Sequence, residues 1–280
     1  DKKDLTYMES NGRLDNADPA LVSEMAKKRG SDQLGTIGSG NHFVEVDYVE
    51  EIYDPIAAEA YGLSKGQVVV LIHTGSRGLG HQVATDYIRG IMAAMPNYGI
   101  KVPDRELACV PFNSEEGENY FKAMCAAANF AWCNREIISW EVRKAWKNVF
   151  GADVAPLKLM YDVAHNIAKI ETHKVDGEKL GTCSYILAGT NRSEEISFGS
   201  CCHGAGRKLS RTAAKKQVNA PVLKEKLREM GIYVQAGSFK GIAEEAPIAY
   251  KDVNEVVETI QDSGIAKKVA KLRPMAVVKG

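Results

Sequence analysis

Gln67-Val-Val-Val-Leu-Ile-His73-Thr-Gly75-Ser-Arg77-Gly78-Leu-Gly80-His81 decides how this chain is read. Val68 to Ile72 is apolar and mostly β-branched, the pattern of a buried strand. Three glycines then punctuate the chain, and Gln82 to Met95 has the periodicity of a helix. Strand, glycine-rich loop and helix together suit a phosphate. Backbone N–H groups approach an anion closely where no Cβ intervenes, and a helix N-terminus favours negative charge. The loop is not a P-loop, because the Gly-Lys-Ser/Thr ending is missing, and it is not the dinucleotide GxGxxG. Arg77 has the fork geometry to clamp a phosphate. His73, at the strand's end, is a candidate metal ligand, whereas His81 reads as a hydrogen-bonding residue at the helix start.

Three further stretches repeat the combination of histidine with small or amide residues. Gly35-Thr-Ile-Gly38-Ser-Gly40-Asn41-His42-Phe43-Val44-Glu45-Val46 is a glycine loop entering an alternating strand. Asn41 and Glu45 can hydrogen-bond a polar ligand there, and His42 can bind a metal. Asp162-Val-Ala-His165-Asn166 mirrors the Asn41-His42 pair after a strand-like run, Leu157 to Val163, and Asp162 is placed to orient His165 or to cap the turn. Gly199-Ser-Cys201-Cys202-His203-Gly204-Ala205-Gly206-Arg207 puts a histidine directly before Gly-Ala-Gly. A helix-like run, Arg207 to Val218, follows, with Arg207, Arg211 and Lys215 spaced to share one face. Four of the six histidines (His42, His73, His165, His203) therefore stand at junctions of strand or turn with Gly or Asn. Three could hold a divalent metal, leaving the fourth for chemistry. His173 reads as a solvated surface residue.

The rest of the chain is ordinary globular sequence. A capped helix is predicted from Pro19 to Arg29, and a helix with a turn over 48–66. Residues 114–150 read as two helices or one long one, with Met124, Cys125 and Cys133 in its core. Tyr185 to Gly189 reads as a strand, 190–198 as a polar connection, Lys224 to Met230 as a helix and Ile232 to Gln235 as a strand. Residues 244–252 read as a connection, Val253 to Ser263 as a helix stopped by Gly264, and Lys271 to Gly280 as a strand. The expected fold class is α+β: a single mixed α/β domain over residues 1–280, with mixed or antiparallel sheets and site loops at strand ends.

Lys+Arg and Asp+Glu are equal at 36 each, so a polyanion must be held by a local basic site rather than by net charge. No apolar run has the length of a membrane span, and the start carries no signal-peptide pattern. The six cysteines lack a CxxC spacing and read as free thiols of a reducing compartment. Opening on Asp1, the chain reads as a fragment or a processed product.

Several long words of the sequence resemble the RtcB-type RNA-splicing ligases, in that family's order. They are LGTIGSGNHFVEV (34–46), HTGSRGLGHQVATD (73–86), YDVAHNIAKIE (161–171), CHGAGRKLSR (202–211), EEAPIAYKDV (244–253) and KLRPMAVVKG (271–280). The resemblance implies a GTP- and Mn²⁺-dependent ligase that joins RNA 2′,3′-cyclic phosphate or 3′-phosphate ends to 5′-hydroxyl ends. It implies that His203 is the nucleophile that becomes guanylylated, and that His42, His73 and His165 are Mn²⁺ ligands, with two ions per site in a complete chain. Asn41, Phe43, Glu45, Asn166, Ser184, Gly204, Ala205, Gly206 and Lys279 would hold the guanylate. The implied partners are GTP, RNA such as tRNA exon halves, and an activating protein or ligase-complex subunits, with no membrane. The implied setting is cytoplasmic, and nuclear as well in a eukaryote.

Two departures stand beside the resemblance. The family's N-terminal portion, with an Asp and a Cys that bind manganese, precedes the point where this sequence begins. A basic and nucleotide-binding segment is missing where Glu178-Lys179-Leu180 joins Gly181 directly. Three neutral imidazoles without those anionic ligands would hold Mn²⁺ weakly. The alternatives are thus a catalytically incompetent core that binds RNA or partner subunits, and a metal-dependent phosphodiesterase using the same histidines.

Overall fold

The computed structural model describes residues 2–170 and 184–280. His173 and the junction at Gly181 lie outside the described residues. In chain order the elements are α1 (Glu24–Gly30), β1 (Phe43–Ile52), α2 (Pro55–Ala60), β2 (Val68–His73), α3 (Arg77–Ala94), α4 (Glu115–Phe150), β3 (Tyr185–Gly189), α5 (Asn191–Ser197), α6 (Arg211–Gln217), α7 (Ala220–Glu229), β4 (Tyr233–Ala236), α8 (Phe239–Glu244), α9 (Val253–Ser263) and β5 (Ala266–Lys279). This is the expected α+β class with a largely antiparallel sheet. Among the described residues helices outnumber strands: 190–198, read as a connection, contains α5, and α8 forms where no element was expected. The chain divides into two compact units, one of Asp1–Thr36 with Thr74–Lys169 and one of Ile37–His73 with Ile170–Gly280. Among the described residues no helix is long and apolar enough to cross a membrane.

The first unit is helical. Ser114 caps α4 by accepting from the Gly117 N–H at 3.2 Å, and α4 continues unbroken for 36 residues. Small residues on it, Ala123 and Ala127, pack against Val22, against Ala26 of α1 and against Leu79 and Val83 of α3. The single helix expected from Pro19 is split. Asp18 caps one 3₁₀ turn, Val22 is extended, and Ser23 then caps α1. Two good caps five residues apart each start their own helix, and β-branched Val22 tolerates the break.

The glycine-rich loop of the opening stretch is used differently from the expectation. α3 begins at Arg77, not at Gln82. A Cβ on Gly78 would lie 2.8 Å from the Arg29 carbonyl oxygen, so this glycine permits close packing of α3 on α1. The Gly78 N–H donates to Gln33 Oε1 at 2.7 Å, and Arg77 Nε donates to Thr36 Oγ1 at 3.0 Å. Groups that would greet a phosphate are spent on the protein itself.

Asn134, fully buried on α4, ties the flanking segments to that helix. Its carbonyl oxygen accepts from the Gly35 and Thr36 N–H groups at 2.6 and 3.1 Å, and its amide donates to the Thr36 and Gly75 carbonyls, both at 3.1 Å. The next residue, Arg135, forms a buried ion pair with Asp162, Nη2 to Oδ1 2.7 Å. Asp162 therefore serves Arg135 rather than orienting His165. The strand expected from Leu157 to Val163 is absent. Only one isolated bridge forms, Met8 to Asp162, because no neighbouring strand offers a ladder.

The second unit holds the sheet, in the order β2-β1-β5-β3, with β4 pairing β5 in parallel. β1 runs to Ile52, through residues expected to be helical, because β2 on one side and β5 on the other satisfy its backbone. Only Pro55–Ala60 is helical there, capped by Asp54. The register of β1 slips at Val46/Asp47, opposite Pro274, which has no N–H to donate. Asp47 beside this irregularity is fully buried, and neither carboxylate oxygen has a hydrogen-bond partner among the described residues. Burial pushes its pKa up to about 6. α9 is stopped by Gly264 as expected.

Two substitutions probe these interiors. Asn134→Leu keeps the volume and orphans up to four backbone groups, each worth about 1–3 kcal/mol. We expect urea denaturation to show a loss of at least about 3 kcal/mol, whereas a near-zero change would mean those groups find other partners. A carboxyl whose folded pKa is raised stabilises the fold less as pH climbs from its unfolded value, 3.8 for Asp47, through its folded value of about 6. Wild type should therefore lose stability between pH 4 and pH 7, by about 3 kcal/mol at most from this group. Asp47→Asn should flatten that slope in urea midpoints taken at several pH values, and an unchanged slope would contradict the assignment.

Candidate nucleotide and histidine site

Strand register builds the centre of the site. Phe43 pairs with His73 across β1 and β2, and Val44 pairs with Val278 across β1 and β5. His73, Phe43 and Lys279 thus stand in one row at the end of the sheet, with Glu45 one pleat further in. The geometry follows: the Phe43 and His73 ring centroids are 5.4 Å apart, and Lys279 Nζ lies 5.8 Å from the Phe43 centroid. Phe43, Glu45 and Lys279, expected to act together, are brought together here.

Burial dominates the electrostatics of this row. It pushes the Glu45 carboxyl up to about 8, with Asp47 adding repulsion and Lys279 opposing it. Burial holds the Lys279 ammonium below the ordinary lysine range, while Glu245 and Glu45 pull it back up. Glu45 is therefore mostly protonated at neutral pH.

Three imidazoles follow one another beside the row. His42 and His73 have centroids 6.0 Å apart, and His73 and His203 are 6.3 Å apart in an edge-on arrangement. His203 is exposed and lies on an irregular segment. That segment is laced to 249–251. Lys208 N donates to Ala249 O at 2.8 Å, Lys251 N donates to Gly206 O at 3.1 Å, and Arg207 bridges Tyr250. Gly206 takes a φ of +69°, and a Cβ at Gly204 or Gly206 would meet open space. The Gly204-Ala205-Gly206 turn is thus accessible to a ligand, with Ala205 buried beneath it.

The basic helix expected from Arg207 begins at Arg211, capped by Ser210, so Arg207 does not share its face. Nor do these cations stand open to a phosphate. Arg207 Nη1 donates to Glu245 Oε2 and to the Tyr250 hydroxyl, both at 3.0 Å, and its guanidinium lies 4.9 Å from the Tyr250 ring centroid. Arg211 also reaches Glu245, at 3.2 Å, and Lys215 reaches Glu244 at 2.5 Å. The Glu245 side chain is only 3% exposed, and Tyr250 donates to it as well. Sequence reading assigned no role to Glu245, Tyr250 or Asp47. The one available signal for Asp47 was an acidic residue amid strand-forming neighbours.

Asn41 is exposed at the head of β1, and the Ser184 carbonyl accepts from Leu272 N at 3.2 Å beside β3. His165 and Asn166 are exposed and belong to the other unit. Among the described residues no group of three or more His, Cys, Asp and Glu side chains is close enough to hold a metal ion. Within the second unit His42 and His73 are neighbouring imidazoles of the kind a divalent metal takes, and among the described residues no third donor joins them.

Known proteins bear on this arrangement. A family model described as tRNA-splicing ligase RtcB matches residues 1–180 and 177–280. A Thermococcus kodakarensis protein named tRNA-splicing ligase RtcB is 49% identical over 318 residues, covering all of this chain and 66% of its own length. Relatives of the same name from Pyrococcus horikoshii and Archaeoglobus fulgidus are 48% and 46% identical across the whole of this chain, which covers 37% and 66% of them. The chain therefore spans less than two thirds of these relatives. The two matched stretches meet where Glu178-Lys179-Leu180 runs into Gly181. With matches along its whole length, the chain belongs to the tRNA-splicing ligase RtcB family.

Proposed function

We propose that this chain is the core of a GTP-dependent RNA ligase that joins 2′,3′-cyclic phosphate or 3′-phosphate ends to 5′-hydroxyl ends. The observation that carries the reading is the placement of exposed His203 beside His73 and His42, next to Phe43, Glu45 and Lys279. A ring nitrogen of His203 attacks the α-phosphorus of GTP, and the bond to the β-phosphate oxygen breaks to release pyrophosphate. An RNA 3′-phosphate oxygen then takes the guanylyl group from His203, and a 5′-hydroxyl displaces GMP. A cyclic end is first opened by water to the 3′-phosphate.

The chain's own residues have roles in this scheme. Phe43 offers a flat apolar face and Lys279 a cation over it. Glu45, once ionised, accepts from the donor edge of guanine. Asn41, Ser184 and the Gly204-Ala205-Gly206 turn complete the guanylate site. Glu245 and Tyr250 hold Arg207, and with it the irregular segment that follows His203. His42 and His73 are two Mn²⁺ ligands, and imidazole suits that ion. His165 as the third ligand and Asn166 as a guanylate contact rest on the family resemblance. Bound Mn²⁺ would supply neutralisation of triphosphate charge. RNA is the substrate partner, and with a net charge of zero it is held locally rather than by a global field.

Incubation with α-labelled GTP and Mn²⁺, followed by a denaturing gel, tests the reading. Wild type should carry an acid-labile label that His203→Ala loses completely. A folded wild type without label, beside a labelled full-length relative, would leave a non-catalytic RNA- or partner-binding core as the better description. Label that persists in His203→Ala would rule out this nucleophile. GTP binding should also be proton-linked, because Glu45 stands at about 8 when empty and is ionised when bound. Affinity should rise with pH from 6 to 8, by up to about tenfold per unit. Glu45→Gln should bind more weakly and lose that slope. Calorimetry in buffers of different ionisation enthalpy reads the proton count directly, and a count of zero would exclude Glu45 as the switching group.

A further inference from the structure

The scheme above leaves two thiols unused, and they directly precede its nucleophile. Cys201 is exposed and Cys202 half-buried. The Cys202 side chain packs against the cluster of Ile260, Ile265 and Ala266, together with Leu187 and Ile196. Cys202 is thus the apolar anchor of the segment, and the next residue is His203. On its other side the chain turns through two left-handed residues, Phe198 (φ +54°) and Gly199 (φ +63°). The histidine is held between this turn and the bridge at Arg207.

The neighbouring Cys201 thiol, helped by the Gly204 N–H and opposed by burial, holds the Cys202 thiol down to about 7, and the same neighbour pushes the Cys201 thiol well above its usual range. Cys202 is thus the readier of the two to ionise, beside an exposed partner thiol. Consecutive Cα atoms lie about 3.8 Å apart, below the roughly 4.4–6.8 Å of ordinary disulfides. A bond between such neighbours closes a strained ring, and strained, exposed disulfides are easily reduced. That chemistry suits a reversible site and not a structural staple.

We propose that Cys201 and Cys202 form a redox-active vicinal dithiol that is oxidised by small-molecule disulfides and that moves His203 out of the histidine row when it closes. The Cys202 thiolate attacks one sulfur of oxidised glutathione, giving a mixed disulfide and releasing one glutathione thiolate. Cys201 then attacks the Cys202 sulfur and releases the second. The two cysteine thiols lose two electrons and two protons, and the oxidant becomes two molecules of reduced glutathione. Closure draws the Cys202 sulfur toward Cys201 and away from the Ile260/Ile265 cluster. His203, one peptide bond on, loses the anchor that sets its ring edge-on to His73. The thiol chemistry stands by itself; its consequence for catalysis rests on the ligase reading.

The test treats the reduced chain with oxidised glutathione, then blocks free thiols without reduction. Intact mass should fall by two hydrogens. Peptide mapping should place the bond between Cys201 and Cys202, and reduced glutathione should reverse it. Cys201→Ala and Cys202→Ala should each keep one glutathione adduct on the remaining cysteine. Stable adducts on both cysteines of wild type, or bonds to Cys109, Cys125, Cys133 or Cys183, would overturn the dithiol. Diethyl pyrocarbonate labelling of His203, read by mass, should change severalfold on closure, and an unchanged rate with the bond formed would overturn the gating. Guanylyl transfer should disappear on oxidation and return on reduction. If the reduced chain takes no guanylyl label while the bond forms and His203 reactivity shifts, the ligase reading fails and the dithiol stands.

Discussion

The pairing of β1 between β2 and β5 is the constraint on which the site depends. One antiparallel register sets His73 opposite Phe43, and the other sets Val44 opposite Val278, which brings Lys279 over the Phe43 ring. A slip of one residue in either ladder would send these side chains to the opposite face. The hydrogen bonds of the ladder thus fix an imidazole, an aromatic ring and an ammonium within a few ångströms without any contact among distant loops. Val277 and Leu71 flank Glu45 on neighbouring strands, so the carboxyl sits amid apolar surface and its charge is costly.

That cost shapes the chemistry of the unit. Asp47 and Glu45 lie two residues apart on one face of β1, and burial raises both. Few native carboxylates are buried without a partner, and such groups mark strain kept for a purpose. The contrast is Glu245, which is as buried but held below the ordinary carboxylate range by Tyr250, Arg211 and Arg207 against its own desolvation. One acid is satisfied and ionised and acts as a fastener. The others are raised by burial, Asp47 with no hydrogen-bond donor among the described residues and Glu45 with Lys279 opposing the rise.

In the helical unit, buried polar groups do structural work. Asn134 and the Arg135–Asp162 pair satisfy the backbone and charges of segments that have no sheet of their own. Losing either partner of such a pair leaves an uncompensated group in a low dielectric, so these contacts specify where the non-helical segments lie. Gly78 belongs to the same logic: it permits the close approach of the Arg29 carbonyl.

The residues themselves determined a good deal. Strands at Val68–Ile72 and Tyr185–Gly189, the long helix after Ser114 and the stop of α9 at Gly264 were legible, because apolar periodicity, caps and a left-handed glycine act over a few residues. Family membership, too, was legible in contiguous words of sequence. Tertiary structure alone decided that Tyr48 to Ile52 is strand and not helix, since flanking strands override local propensity. It alone paired Asp162 with Arg135, withdrew Arg207 from the basic helix to join Glu245 and Tyr250, and left Asp47 buried without a donor. Each of these outcomes turns on a partner far along the chain. Local sequence carries a residue's own preferences, but burial and long-range pairing depend on what the rest of the chain brings to it.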